Sequence, residues 1–148
     1  MDERIMEHLQ RLNKYFLMLK EAQKIPLEEF IKDEVVRASS ERFLQLAIES
    51  CLNIGNRLIS LYQFEKPVEP PETYADIFVQ MMRLGVFDKQ FCDRLIKMAK
   101  FRNRLVHLYW ELDERTIYNI IQEDLEDFRV FQDKVVSFLN RQETGRGR

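Results

Sequence analysis

The chain has 148 residues, about the content of one domain, and a nearly balanced net charge of −2. Four glycines and four prolines fall well below the average usage of roughly 7% and 5%, too few for the turns of an all-β fold. Charged residues at 32% and hydrophobic ones at 45% exclude a disordered chain. Uncharged stretches such as Ser50 to Asn56 run only seven residues, too short to span a membrane.

Ile5, Leu9, Leu12, Phe16 and Leu19 recur at helical steps and predict a first helix from Asp2 to Gln23. Pro26 interrupts it, and Leu27 to Ile31 predict a short helical turn. A second long helix is expected from Asp33 to Gln63. At about 100° per residue, its apolar positions Phe43, Leu44, Ala47, Cys51, Ile54, Leu58 and Ile59 cover an arc of roughly 160°. An arc that wide needs more than one neighbour and marks this helix as the central one. Its other side carries Arg42, Gln45, Glu49, Asn53 and Asn56, a band that reads either as a solvated face or as the polar wall of a cleft.

Pro67, Pro70 and Pro71 mark the clearest loop. Thr73 with Asp76 forms the pattern of a capping box, opening a third helix that Gly85 should end. Asp88 can cap a fourth helix, with Phe91, Leu95 and Met98 as its buried line. Asp113 can cap a fifth, in which Ile117, Ile121, Leu125, Phe128, Val135 and Leu139 keep helical spacing. Glu143 to Arg148 hold two glycines and no apolar residue, which predicts a disordered tail and leaves residues 1–142 as a single domain. The expected fold class is all-α, a bundle of four to five helices.

Charge is unevenly placed. Lys89 to Arg104 carry six bases against one acid, and Glu111 to Asp133 carry eight acids against two bases. Such blocks serve either as mutually attracting helix faces or as a phosphate-binding surface. Cys51 and Cys92 stand far apart, and His8 and His107 are the only histidines, so neither a zinc site nor any other metal or cofactor is expected. Two reduced thiols fit a cytoplasmic protein. The opening Met1-Asp2-Glu3 is acidic where a secretory leader is basic, so no leader is expected.

Chemistry concentrates in Phe101-Arg102-Asn103-Arg104-Leu105-Val106-His107-Leu108-Tyr109-Trp110. Histidine exchanges protons near neutral pH, as cleavage of RNA at a ribose 2′-hydroxyl requires. Arginine can hold the phosphate side by side while charge builds on its oxygens. The same residue types also serve as an ion pair or as partners of a helix C-terminus, with Arg102 pairing to the acidic fifth helix. On a continuous helix Arg102 and His107 point about 140° apart, so they converge only if the helix breaks or a second protomer supplies one of them.

Arg102 to Tyr109 is similar to the R-x4-H-x-Y signature of HEPN-domain proteins, specifically the HepT type of toxin. Glu41 to Glu49 followed by Asn53-Ile54-Gly55-Asn56 resembles the family's second helix, and Pro71 to Phe78 with Leu84-Gly85-Val86 its third. The resemblance implies a helical homodimer whose motifs meet in a cleft at the interface. It implies a metal-independent endoribonuclease toxin of a type VII-like toxin–antitoxin pair. It also implies a minimal nucleotidyltransferase antitoxin of the MntA type as partner, and RNA as substrate. Arg102 and His107 map onto the catalytic pair, Asn103 onto the polar residue that follows the arginine, and Tyr109 onto the tyrosine that the antitoxin adenylylates. Around them, Arg104, Lys97 and Lys100 are candidate RNA contacts, and Arg42 and Glu49 candidate cleft walls. Two other readings stand beside the enzyme: a non-catalytic helical dimer that docks or is modified by a nucleotidyltransferase, and a structural bundle whose charges only join helices.

Overall fold

The computed structural model describes residues 1–63, 70–107 and 112–146. Pro67, Tyr109 and Trp110 therefore lie outside the described residues, whose elements are seven helices and no strand. They are α1 (Glu3–Gln23), α2 (Leu27–Lys32), α3 (Glu34–Tyr62), α4 (Tyr74–Leu84), α5 (Lys89–His107), α6 (Glu114–Glu123) and α7 (Glu126–Arg146).

Short polar side chains start these helices where the sequence placed them. Asp2 accepts from the Ile5 amide, Asp33 from Val35 and Val36, and Asp113 from Arg115. Asp88 accepts from the Phe91 amide at 2.9 Å. Thr73 and Asp76 close a reciprocal capping box, so two otherwise unpaired backbone donors are satisfied at the start of α4. Gly85 ends α4 at φ 94°, a left-handed conformation that glycine adopts without steric cost.

The central role expected for the second long helix holds: α3 packs on α1, α2, α4 and α5. Its Leu44, Ala47, Ile48, Cys51, Ile54 and Leu58 are almost fully buried and join one continuous core with side chains from the other helices. Gly55 sets how closely α4 can lie on α3. A Cβ built there would stand 2.5 Å from Ile77 Cγ2 and 2.8 Å from Met81 Sδ, inside any tolerable contact. The start of α1 is fixed to α3 by Asp2, whose two oxygens face Arg57, with Nη2 at 2.8 Å from Oδ2. Cys51 and Cys92 are buried and unpaired, and burial pushes both thiols above their ordinary pKa.

Two boundaries differ from expectation. The fifth helix is two helices, α6 and α7, with a bend at Asp124 and Leu125. The apolar spacing runs unbroken through the bend because Ile121, Leu125 and Phe128 are each 1% exposed, so periodicity alone hides it. Asp124 N–H still closes α6 on the Ile120 carbonyl, while its own carbonyl accepts from Asp127 and begins a new turn. Helix α7 also continues to Arg146, beyond the limit of 142 read from composition. Glu143 there meets the N-terminal ammonium at 3.0 Å, and the Thr144 hydroxyl bonds back to the Asn140 carbonyl. No helix among the described residues is long and apolar enough to cross a membrane.

Candidate active site

The basic block folds as α5, which is helical through His107 without interruption. Apolar positions Phe91, Leu95, Phe101 and Leu105 bury one side of it, and most of its polar residues emerge on the opposite side. Arg102 falls within the buried arc, about 20° from Phe91 and Leu95, whereas His107 lies on the exposed side, about 140° away around the axis. Arg102 faces α3 and α4, whereas His107 is exposed.

Arg102 is the more tightly held of the two. Glu49 on α3 accepts from its Nη2 at 2.8 Å and from its Nε at 3.3 Å, through the same oxygen. Its guanidinium also lies 4.8 Å from the centre of the Tyr74 ring on α4, a cation–π stack. A third, longer bond runs from Nη1 to Asn103 Oδ1 at 3.4 Å. Three of the five N–H donors are thereby used, which leaves one on each terminal nitrogen. Two such donors suit side-by-side contact with a phosphate. The Arg102 side chain is only 12% exposed, so it is held in place while keeping that capacity.

Glu49 is itself shaped by this cluster. Burial pushes its carboxyl pKa up, but hydrogen bonds from Gln45 and Arg102 and the charges of Arg102 and Arg42 outweigh burial and hold it below the ordinary value of 4.5. It is an anion that fixes the arginine. Gln45, at 3.0 Å, holds the same oxygen. In the polar band of α3, Glu49 thus holds Arg102 and Asn56 lines a hollow, while Arg42 stands exposed at its border and makes no hydrogen bond among the described residues.

The charge blocks divide by residue. Arg94 grips Asp127 with two nitrogens, at 2.9–3.2 Å, and reaches Asp124 at 3.8 Å, so here the acidic and basic blocks do attract. Arg102 does not join the acidic helices; its carboxylate partner is Glu49, 53 positions away. Lys97, Lys100 and Arg104 are exposed, and no ion pair to them is found among the described residues. At about 100° per residue these three and His107 share a strip roughly 80° wide along α5.

Two hollows flank α5. One, about 280 Å³, is walled by apolar residues of α3, α5, α6 and α7, including Ile48, Phe101 and Phe128, with Arg94 and Asp127 among its polar lining. It contains no histidine. The other, about 420 Å³, lies at the start of α4 and is lined by Asn56, Pro71, Glu72, Thr73, Tyr74, Ile77 and Asn103. It adjoins Arg102 through both Asn103 and Tyr74. Sequence reasoning did not single out Tyr74, although it stands inside the Pro71–Phe78 block; an aromatic directly after a helix cap was its only local signal.

A central helix packed by four others, with an arginine fixed on the buried side of α5 and a histidine exposed on its other side, defines a HEPN-type helical domain. The profile of the ribonuclease HepT-like family matches residues 5–135, and the chain belongs to that family. It is similar to a tRNA nuclease HepT of Aphanizomenon flos-aquae, 22% identical over 131 residues, covering 88% of this chain and 86% of the relative. An mRNA nuclease HepT of Shewanella oneidensis is 28% identical over 107 residues, covering 72% of this chain and 77% of the relative. Among solved structures, the tri-AMPylated HEPN toxin of Shewanella oneidensis in complex with an MNT antitoxin superposes with a TM-score of 0.82. That match covers 93% of this chain and 99% of the other at 24% identity, and it establishes the shared fold.

Proposed function

We propose that this protein is a metal-independent endoribonuclease toxin, active as a homodimer in the cytoplasm and silenced when a partner nucleotidyltransferase of the MntA type adenylylates Tyr109. The observation that carries the reading is the division of labour on α5. Arg102 is immobilised on the buried side by Glu49 with two donors to spare, and His107 is exposed on the opposite side of the same unbroken helix. Family membership and the nuclease and antitoxin names of its relatives support the substrate class and the partner.

Arg102 of one protomer binds the scissile phosphate, and His107 of the other faces the ribose. The 2′-oxygen attacks phosphorus as its proton passes to a base, and the bond to the 5′-oxygen breaks as that oxygen gains a proton. His107 serves one of these transfers, and Arg102 stabilises the charge that accumulates on the phosphoryl oxygens. The products are a 2′,3′-cyclic phosphate and a 5′-hydroxyl. Lys97, Lys100 and Arg104 extend the positive strip beside His107 and hold flanking phosphates. Asn103 supports the arginine through its carbonyl oxygen.

The test is cleavage of RNA by the purified dimer in EDTA, with end-group analysis of the products. His107→Ala should lose about 10²–10⁴ in rate while keeping the helical fold. Equal cutting of an all-deoxy strand, or undiminished cutting by His107→Ala, would refute the mechanism.

A further inference from the structure

The hollow at the start of α4 has no task in phosphate chemistry, yet it lies against the arginine that performs it. Three of its features suit a flat, hydrogen-bonding ligand. Tyr74 is 41% exposed, unusual for a large aromatic side chain here, and its ring carries the Arg102 guanidinium. Asn56 is exposed on α3 and makes no hydrogen bond among the described residues, so its amide donor and its carbonyl acceptor are both available. Asn103 spends only its carbonyl oxygen, on Arg102, and keeps its NH₂ group. The volume, about 420 Å³, lies within the usual range of ligand pockets, about 300–1,000 Å³.

We propose that this hollow is a nucleobase subsite, taking the base next to the phosphate held by Arg102 and favouring one with an exocyclic amine, adenine or cytosine. The inference rests on the ribonuclease reading above. A strand whose phosphate meets Arg102 must place a neighbouring base within a few ångströms, and this hollow is the concave surface that shares Tyr74 and Asn103 with that arginine. Aromatic and guanidinium planes stack on any base. Selection comes from the edges. A carboxamide pairs side by side with an adjacent donor and acceptor, as Asn does with adenine N6 and N7. Glu72 on the rim offers only acceptors, which suits the amine of adenine or cytosine and opposes the carbonyl O4 of uracil.

Binding and cleavage are measured separately, so that a failure of the subsite is distinguishable from a failure of the nuclease. The ligands are uncleavable 2′-O-methyl hexamers of A, C and U, added to the purified dimer. The expected preference for A and C over U is roughly 5- to 150-fold, the discrimination given by one good bidentate pair. Glu72→Leu should abolish that preference without loss of U binding and with little change in thermal stability, since its side chain is exposed and makes no hydrogen bond among the described residues. Tyr74→Leu should weaken all three hexamers roughly 5- to 150-fold by removing a stacking surface. Preference lost in Glu72→Leu supports the subsite, even if no RNA is cut and the nuclease reading fails. Cleavage of RNA by an enzyme that binds all three hexamers equally, or whose preference survives Glu72→Leu, overturns the subsite and leaves the nuclease reading intact.

Discussion

Glu49 holds Arg102 through one oxygen, at 2.8 Å from Nη2 and 3.3 Å from Nε, across 53 residues of sequence. The pair joins α3 to α5 and orients the guanidinium with one N–H on each terminal nitrogen unspent. An arginine fixed in this way meets a phosphate with less ordering left to do than a mobile one.

Glu49→Ala should therefore weaken both fold and activity. Loss of charge-assisted hydrogen bonds to a mostly buried arginine costs about 1–3 kcal/mol of stability. Activity should fall further than the unfolded fraction explains, because Arg102 is also released from its orientation. The sign of the pH effect follows from the carboxyl lying below its ordinary value of 4.5. Its contribution is complete above 4.5 and is lost only as pH falls through the lower folded value. Denaturant midpoints of wild type and Glu49→Ala should thus differ by a constant amount from neutrality to about pH 5 and converge as pH falls from 4.5 through the lower folded value. A difference that shrinks between pH 7 and 6 would assign the coupling to another group.

Much of this architecture was legible in the sequence because its causes are local. The capping box of Thr73 and Asp76, the glycine stop at Gly85 and the apolar seam of α1 each lie within a few residues and need no tertiary partner to be recognised. The wide apolar arc of α3 likewise announced several neighbours. The bend at Asp124 was hidden because Leu125 and Phe128 keep the buried side in register. Only Asp124 followed by Glu126 and Asp127, an acidic helix start, signalled it. Charge count alone offered the acidic fifth helix as one alternative partner for Arg102, beside a phosphate. Which carboxylate it meets depends on how α3 and α5 pack, and Arg94 occupies Asp127 instead. The role of Tyr74 depends on the same packing.

Gly55 controls that packing, so Gly55→Ala should act at a distance. The added methyl meets Ile77 and Met81, and α4 must shift away from α3. Overpacking of this kind costs about 1–3 kcal/mol. Tyr74 begins α4, so its stack on Arg102 should loosen as well. Thermal melts should show the destabilisation, and phosphate affinity should drop with it. A variant as stable as wild type would place the tolerance in a mobile Met81 side chain.

The unbroken course of α5 makes a composite site testable by mixing inactive proteins. Arg102→Ala and His107→Ala are each expected to be inert. When refolded together, half of the dimers are mixed, and each mixed dimer holds one intact arginine–histidine pair if the two come from different protomers. Activity should return to about a quarter of wild type, as two-fold symmetry requires. A mixture as inert as its parts would show that the pair works within one protomer or not at all.

Control by the partner is expected at Tyr109, two residues past His107 in the sequence. The nucleotidyltransferase would join the tyrosine oxygen to the α-phosphorus of ATP. The bond to the β-phosphate breaks, pyrophosphate leaves and the phenolic proton passes to solvent. The product would carry a phosphodiester anion and a purine two residues past His107 in the sequence. The anion competes with RNA phosphate for Arg102 and the strip of Lys97, Lys100 and Arg104, and the purine occupies space that a substrate base needs. Modification should therefore abolish cleavage without altering helicity or dimerisation. Tyr109→Phe should escape modification and remain an active nuclease. Co-expression of both forms with the nucleotidyltransferase, followed by intact mass and RNA cleavage, separates the outcomes. A wild-type protein that gains adenylyl mass and loses activity, beside a Tyr109→Phe protein that does neither, is the expected result. An equal mass gain on both would move the modified residue elsewhere, and a modified protein that still cuts RNA would end this account of inhibition.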